Sequence, residues 1–197
     1  MEKSDAMKEI RDEVLTLTSS PLYEYRTQNK YLPVIGEGSH DANIMFVGEA
    51  PGRNEAQTGK PFCGAAGRIL DELLASIELS RTDIYITNIV KDRPPENRDP
   101  LPEEIFAYGP FLDRQIDIIQ PKVIATLGRF SMGYILERFN LAEENKGIGK
   151  LHGKVFATHA TYGEILVVVL YHPAAAIYNQ ALKETLRDDM QVLKKFI

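Results

Sequence analysis

Residues 42–52, ANIMFVGEAPG, hold the pattern on which the fold depends. Apolar residues fill positions 44–47 without a break, and a glycine-rich polar segment follows them at once. Short apolar runs rich in β-branched residues recur at 84–86, 123–127 and 165–170. Runs of this length without polar alternation are typical of strands buried on both faces, as in a parallel sheet.

Helical patterns lie around and between these runs. Residues 5–18 and 102–119 are predicted as helices, and the Gly-Pro pair at 109–110 is expected to kink or interrupt the second one. Apolar residues also recur at helical spacing through 69–77 and through 182–197. Strands that alternate with helices predict an α/β sandwich with a mostly parallel central sheet. Ligands of such folds bind at the carboxyl ends of the strands, so the loops there are where chemistry is expected.

The composition is that of a soluble globular protein, with 197 residues of which 44% are hydrophobic and 26% are charged. We expect a single domain over residues 1–197, with an irregular arm at 19–41. No stretch approaches the ~20 apolar residues that span a bilayer. The charged N-terminus lacks an apolar export signal, so a cytoplasmic protein is expected. The single cysteine, Cys63, excludes an internal disulfide framework and a multi-thiolate metal site.

The net charge of −5 argues against a protein that coats nucleic acid without specificity. It leaves room for an enzyme of nucleic acids, because phosphate contacts need only a local basic rim. Two groups of basic residues are candidates for such a rim: Lys91, Arg93 and Arg98, and Lys146, Lys150 and Lys154. Solvated loops are the alternative interpretation of both groups.

Three strand ends carry polar or glycine-rich loops, at 48–62, 87–98 and 172–175. The first loop has neither the GxxxxGK[ST] spacing of a phosphate-binding loop nor the GxGxxG pattern of dinucleotide sites. Its glycines can bring backbone N–H groups close to a small planar ligand. A tight strand-to-helix turn without a ligand is the alternative. All three loops are expected to meet at one cleft.

Single residues in these loops suit the recognition of a base, although each also has a structural interpretation. His172 can donate a hydrogen bond to developing negative charge, or it can be a capping or core histidine. Asn88 and Asn97 each offer a donor and an acceptor, as base reading requires. Asn97 can equally be a turn residue. Phe62 is either a stacking platform or a core side chain.

The order of the motifs GEAPG, GKPF, TNIVK, PPENR and HPAA closely resembles the family 4 uracil-DNA glycosylases, and the likeness runs from about residue 20 to the C-terminus. The resemblance implies a three-layer α/β/α sandwich around a four-stranded, mostly parallel sheet. It also implies a monofunctional enzyme that flips deoxyuridine out of DNA and hydrolyses its N-glycosidic bond. None of the motifs contains a lysine placed to form a Schiff base.

The resemblance further implies a role for residues of each motif. In this assignment Asn97 positions the attacking water, and His172 stabilises charge on uracil O2. Phe62 stacks on the flipped base, Asn88 reads its edge, and Glu55 excludes the methyl group of thymine. The implied catalytic residues are Asn97, His172 and Glu49, and the implied base-binding residues are Gly48, Ala50, Glu55, Phe62 and Asn88. Ala56 replaces an acid that is common in the family, so base selectivity could differ.

DNA contacts are expected from residues around the cleft. Where the family often has an arginine this chain has Tyr178, and we expect Ile177 and Tyr178 to form the wedge that fills the vacated stack. The full set of expected DNA-binding residues is Arg98, Lys150, His152, Ile177 and Tyr178. The partner is uracil-containing DNA, single- or double-stranded, and a monomer is expected.

The chain departs from the family at the four cysteines that typically hold a [4Fe–4S] cluster. Alignment of the flanking residues places Leu17, Ser20, Asp92 and Tyr108 at those positions. Because such clusters need thiolates, no metal and no cofactor is predicted. Apolar packing by Leu17 and Tyr108 is expected to replace the metal–sulfur bonds. A module that binds uracil or damaged DNA without catalysis, or a glycosylase for other deaminated bases, remains an alternative.

Overall fold

A computed structural model describes residues 2–197 and contains a six-stranded mixed sheet flanked by helices. The strands are β1 Glu37–Gly38, β2 Ile44–Gly48, β3 Tyr85–Asn88, β4 Val123–Leu127, β5 Val155–Ala160 and β6 Gly163–Leu170. The α-helices are α1 Lys3–Leu15, α2 Tyr23–Gln28, α3 Arg53–Thr58, α4 Ala65–Ala75, α5 Pro102–Ile119, α6 Arg129–Arg138, α7 Ile148–Leu151 and α8 Gln180–Met190. Short 3-10 turns lie at Pro95–Asn97, Ala142–Glu144, Pro173–Ala176 and Gln191–Phe196.

The strand order is β1-β3-β2-β4-β6-β5. The four strands predicted from apolar runs form its parallel centre, β3-β2-β4-β6, which confirms the α/β prediction. The expected count of four strands is wrong, because β1 and β5 add antiparallel edges. Strand β5 escaped prediction because its residues alternate between exposed and partly buried, so it has no buried apolar run. It is defined by its hairpin pairing with β6, from Val155 opposite Val168 to Ala160 opposite Gly163.

The two faces of the sheet are covered by different helices, which gives the expected three layers. Alternate residues of β2 point to opposite sides: Met45 and Val47 join one apolar cluster, and Ile44 and Phe46 join the other. The first cluster is completed by α1, α5 and α6, and the second by α4 and α8. Burial of one such side chain contributes about 1.5–3 kcal/mol to folding, so the two clusters fix both faces of β2.

The helices differ in detail from their sequence-based bounds. Helix α1 ends at Leu15, and part of the expected irregular arm is helix α2. Helix α5 is continuous across Pro110, which is exposed, so the carbonyl that loses its donor faces the solvent side. Gly109 allows the close approach of α6, because a Cβ at Gly109 would lie 2.5 Å from the hydroxyl of Tyr134. Within residues 2–197 no helix is both long and apolar enough to cross a membrane.

Candidate active site

The loops that follow β2, β3 and β6 meet at a cleft of about 500 Å³. Most of the residues predicted to act on a base line this cleft: Glu49, Ala50, Glu55, Phe62, Asn88, Asn97 and His172. Arg98, which was predicted to bind DNA, also lines it. Further residues in its wall were not singled out from the sequence, among them Arg53, Asn54, Pro94 and Ala174. The parallel centre of the sheet brings these loops together, since its strands end at the same edge.

Gly48, at the end of β2, lies directly behind the cleft, where there is no space for a side chain. A Cβ at Gly48 would lie 2.3 Å from Asn88 Oδ1 and 2.7 Å from Phe62 Cζ, both far inside normal contact distance. The absence of a side chain therefore allows the amide of Asn88 and the ring of Phe62 to approach each other across this strand. Gly48 shapes the cleft without lining it.

Phe62 is held in a strained turn between α3 and α4. Its backbone has a φ of 48°, a left-handed conformation that is uncommon for bulky residues. The guanidinium of Arg81 donates to the carbonyls of Pro61 at 3.0 Å and of Phe62 at 2.5 Å, and it also pairs with Asp71 at 2.6 Å. Gly67 lets α4 begin beneath the turn, because a Cβ there would lie 1.7 Å from Phe62 O. The ring of Phe62 is thereby fixed against the floor of the cleft.

Asn88 ends β3 with a side chain that is 2% exposed. Within the described residues its Oδ1 accepts no hydrogen bond, although it is fully buried. Buried polar atoms of native proteins are nearly always paired, so an unpaired acceptor in the wall of a cleft indicates a place for a donor from a ligand. The amide lies beside the Phe62 ring, where a planar ligand stacked on that ring would present its edge.

The carboxylate of Glu55 closes another side of the cleft from helix α3. Its Oε1 accepts hydrogen bonds from the backbone N–H groups of Cys63 at 3.0 Å and Gly64 at 2.9 Å. These two hydrogen bonds fix the carboxylate at the start of α4, and its Oε2 takes part in neither of them. Glu55 therefore couples the turn that carries Phe62 to the wall of the cleft.

His172 follows β6 and faces Phe62, with the two rings stacked at a centroid distance of 5.6 Å. Its Nδ1 accepts a hydrogen bond from the backbone N–H of Ala174 at 3.1 Å, so the neutral ring carries its proton on Nε2. Burial lowers the pKa of His172 to about 4, although the nearby Glu55 carboxylate acts in the opposite direction. At neutral pH this side chain is therefore an uncharged N–H donor in the cleft.

Glu49, the residue after Gly48, contributes a carboxyl group that titrates near neutrality. Burial and, to a smaller extent, the charge of Asp99 raise the pKa of Glu49 to about 7, although Arg129 acts in the opposite direction. Asp99 and Arg129 form an ion pair with each other at the rim. A carboxylate with this pKa can exchange protons with water near pH 7.

Asn97 is held in the loop after β3 by Arg93, which is itself bonded to a residue far away in the chain. Its φ is 56°, and its Oδ1 accepts a hydrogen bond from Arg93 Nε at 2.7 Å. Arg93 in turn donates to the hydroxyl of Tyr31 at 2.8 Å, which ties the loop to the N-terminal arm. On the other side Arg98 forms a two-point ion pair with Glu104 at the start of α5, at 2.6 and 2.9 Å. Since its oxygen is taken, the free group of Asn97 is its Nδ2.

Several residues expected at the DNA surface lie outside the cleft. Ile177 and Tyr178 follow the 3-10 turn that begins just after His172, and the side chain of Tyr178 is 98% exposed. Lys150 is exposed at the end of α7. His152 bonds Asp189 at 2.8 Å and stacks on Tyr171, so it is engaged within the protein.

The first expected basic rim consists of Lys91, Arg93 and Arg98, and the prediction of a surface position is wrong for Lys91 and Arg93. Lys91 is fully buried and Arg93 is 9% exposed, so neither side chain forms a surface patch. Both instead satisfy acceptors inside the loop after β3. Charge patterns in a sequence do not show which cations have internal acceptors, and this is why the two were placed on the surface.

A family model described as the uracil DNA glycosylase superfamily matches residues 35–194. The type-4 uracil-DNA glycosylase of Sulfurisphaera tokodaii is 45% identical over 97% of this chain and 84% of the relative. Those of Saccharolobus solfataricus and Archaeoglobus fulgidus are 47% and 43% identical, over 97% and 95% of this chain and 86% and 91% of the relatives. The chain belongs to the type-4 family of the uracil-DNA glycosylase superfamily. The resemblance in the motifs is thereby confirmed.

For a type-4 uracil-DNA glycosylase the positions of the expected cluster ligands hold an unusual set of residues. Three of them meet in space: the Tyr108 hydroxyl bonds Ser20 Oγ at 2.7 Å and donates to Asp92 Oδ2 at 2.5 Å. Arg26 pairs with Asp92 at 3.3 Å and also donates to the carbonyl of Val14 at 3.0 Å. These buried side chains fill the place with direct hydrogen bonds and offer no thiolate. The residues present do not fit an iron–sulfur cluster.

The expected substitution of packing for metal–sulfur bonds therefore needs correction. Tyr108 does lie in the apolar core, and Leu17 packs against it while partly buried. The direct tie between the arm, the loop after β3 and helix α5 is nevertheless polar, through Ser20, Tyr108 and Asp92. Burial raises the pKa of Asp92, although Tyr108 and Arg26 oppose the rise. Within residues 2–197 no group of His, Cys, Asp and Glu side chains is arranged to hold a metal ion.

Proposed function

We propose that this protein is a monofunctional uracil-DNA glycosylase that releases uracil without a metal or a cofactor. The observation that carries the proposal is the unpaired Oδ1 of Asn88 beside the ring of Phe62 in the cleft. Uracil is planar and presents an N3–H donor next to the O4 acceptor. An amide that accepts from N3–H and donates to O4 matches uracil, whereas cytosine has an acceptor at N3 and a donor at N4.

Base recognition in this proposal begins with a flipped nucleotide, because the base of a duplex is not accessible. The base stacks on Phe62, and the carboxylate of Glu55 stands as a fixed wall that leaves no room for the methyl group of thymine. Ala50 lines the same cleft. Ala56 is fully buried and is not part of the wall, so the basis for an altered selectivity at this position is weak.

The chemical step needs stabilisation of both separating fragments. As the C1′–N1 bond breaks, the electron pair leaves with the base, and His172 Nε2–H stabilises the charge on uracil O2. Glu49, when ionised, faces the cationic sugar and accepts a proton from the attacking water, whose oxygen bonds to C1′. Asn97 orients that water through Nδ2, since its Oδ1 is bonded to Arg93. One fixed donor at a developing anion is worth about 3–4 kcal/mol.

DNA binding in the proposal uses the surface around the cleft. Tyr178 and Ile177 enter the stack that the flipped base has left, which explains why an aromatic side chain is fully exposed so near His172. Arg98, Lys150 and His152 contact phosphates. His152 does so through Nε2 when both ring nitrogens carry a hydrogen, because its Nδ1 is bonded to Asp189. Binding of single- and double-stranded DNA, the monomeric state and the cytoplasmic location remain predictions.

The alternative of a DNA-binding module without catalysis finds less support. It assumed that loss of the cluster loosens the loop that carries Asn97. That loop is held by the pairs Arg93–Tyr31 and Arg98–Glu104 and by the network of Asp92.

The test is an oligonucleotide with one deoxyuridine, followed by alkaline cleavage at abasic sites under single-turnover conditions. We expect cleavage by the wild type, none of a matched thymine oligonucleotide, and a loss of about 10²–10³-fold in His172→Ala. His159→Ala is the matched control, because His159 is exposed on β5 and only meets Glu164 at 3.5 Å. Absence of any abasic product with the wild type, or equal rates in both histidine variants, contradicts the proposal.

A further inference from the structure

Lys91, three residues after Asn88, is a lysine with no exposed surface. Among the ion pairs of residues 2–197 none includes it, and the neighbouring Asp92 is paired with Arg26 instead. Its Nζ lies 2.6 Å from Asn88 O, 2.6 Å from Gln115 Oε1 and 2.8 Å from Thr87 Oγ1. A buried cation without a carboxylate is costly, so these contacts call for an explanation.

All three contacts of Lys91 must be donated by the lysine. The hydroxyl of Thr87 donates its own hydrogen to Ile35 O at 2.6 Å, so its oxygen is an acceptor towards Nζ. The amide nitrogen of Gln115 donates to Ile35 O at 2.9 Å, which leaves its oxygen to accept. The third partner is a backbone carbonyl and can only accept. Three acceptors call for three hydrogens, which the ammonium form supplies and the neutral amine does not. These contacts oppose the effect of burial, which lowers the pKa of Lys91 well below its usual value.

The contact with Asn88 matters because that residue lies where the β2–β3 ladder ends. The N–H of Ile89 still bonds Gly48 O at 3.0 Å, whereas the carbonyl of Asn88 accepts from Lys91 Nζ at 2.6 Å and has only a long contact of 3.5 Å with Thr87 Oγ1. The side-chain oxygen of Asn88 has no partner in the described protein that could fix its direction. The position of that amide therefore depends on its backbone and on contact with Gly48 and Phe62.

We propose that Lys91 is a positioning residue for base recognition, which fixes the Asn88 peptide so that the amide is presented to the base. This rests on the proposed role of Asn88 as the reader of uracil. Lys91 is itself anchored, because its carbonyl accepts from Val34 N at 2.8 Å. Its side chain thus links this fixed backbone position to the carbonyl at the end of β3. It touches no substrate and acts through Asn88 alone.

The experiment is a double-mutant cycle of Lys91→Met and Asn88→Ala, with uracil release measured under single-turnover conditions. Methionine is close to lysine in length and has no donor. We expect Lys91→Met to slow release by about 10²-fold and to weaken inhibition by free uracil at least tenfold, while affinity for uracil-free duplex DNA stays within twofold. The double variant should be no slower than Asn88→Ala, because the two residues act as one unit.

A destabilised core variant separates positioning from general loss of stability. Leu112→Ala on α5 creates a cavity in the fully buried core and removes none of the groups that form hydrogen bonds with Lys91. It should unfold more easily yet keep wild-type inhibition by free uracil. If Lys91→Met does not fold, Lys91→Gln retains two N–H donors and enters the same cycle.

The outcomes distinguish the inference from the proposed function. Losses that multiply in the double variant, or unchanged inhibition by uracil in Lys91→Met, overturn the role of Lys91. Wild-type rates in Asn88→Ala alone overturn the role of Asn88 and with it the inference.

Discussion

The pH dependence of uracil release should follow the ionisation of Glu49. Burial and the nearby charge of Asp99 raise the pKa of this carboxyl to about 7, so it is half protonated at neutral pH. Only the ionised form can accept a proton from water and face a cationic sugar. The single-turnover rate is therefore expected to rise with pH up to about 7 and to level off above it.

The size of the effect follows from the same pKa. Two pH units below the pKa about 1% of a carboxyl is ionised, so the rate at pH 5 should be about 100-fold below its plateau. His172 does not interfere, because burial lowers its pKa to about 4 and the ring is mostly neutral from pH 5 upwards. Asp99→Asn should move the midpoint to lower pH, since it removes a negative neighbour and frees Arg129 from its ion pair.

The assay is a rapid-quench time course with enzyme in excess over a deoxyuridine oligonucleotide, from pH 5 to pH 9. Glu49→Gln keeps the shape of the side chain without the ionisation and should give a flat, low profile. Circular dichroism at each pH separates loss of fold from loss of chemistry. A wild-type rate that does not change between pH 5 and 7, or a Glu49→Gln profile that keeps the slope, refutes the assignment of Glu49.

Three further changes test the site and its supports. Gly48→Ala places a Cβ 2.7 Å from Phe62 Cζ. Uracil release should therefore slow by about 10²-fold, and the free energy of unfolding should fall by about 1–3 kcal/mol. Wild-type kinetics would show that the strand tolerates a side chain at this position. Tyr108→Phe removes the hydroxyl that bonds a buried carboxylate and should lower the free energy of unfolding in urea by about 2 kcal/mol. The control is Tyr134→Phe at a half-exposed site, which should lower it by less than about 1 kcal/mol. Equal losses in the two variants, or stoichiometric iron in purified protein, contradict a hydrogen-bond network at the former cluster positions. Arg81→Met removes the hydrogen bonds to the turn of Phe62 and should weaken inhibition by free uracil about tenfold, which is a loss of ~1.4 kcal/mol in binding free energy. Unchanged inhibition means that the turn keeps its conformation without Arg81.

The sequence predicts the centre of the fold because its physical signal is local. A short, unbroken apolar run such as 44–47 is typical of a strand covered on both faces, so the four parallel strands could be assigned from single stretches. The edge strands could not, because β1 has two residues and β5 has no buried run. Their existence depends on pairing with a neighbour that local composition does not reveal.

The same distinction holds for the site. The motifs identify Phe62, Asn88 and His172 because each stands in a short and unusual stretch of sequence. Their supports are found only in three dimensions: Arg81 lies 19 residues from the carbonyl it holds. Lys91 looks like a surface cation in the sequence, because nothing local shows that its acceptors lie at the end of β3 and on helix α5.

The unpaired Oδ1 of Asn88 also limits the thermal stability of the enzyme. A buried acceptor without a donor costs about 1–3 kcal/mol, and the protein bears this penalty until uracil arrives with its N3–H. Free uracil should therefore raise the melting temperature, and Asn88→Leu, which removes the stranded acceptor, should melt above the wild type while losing its substrate. Selection for heat tolerance alone would discard the side chain that reads the base.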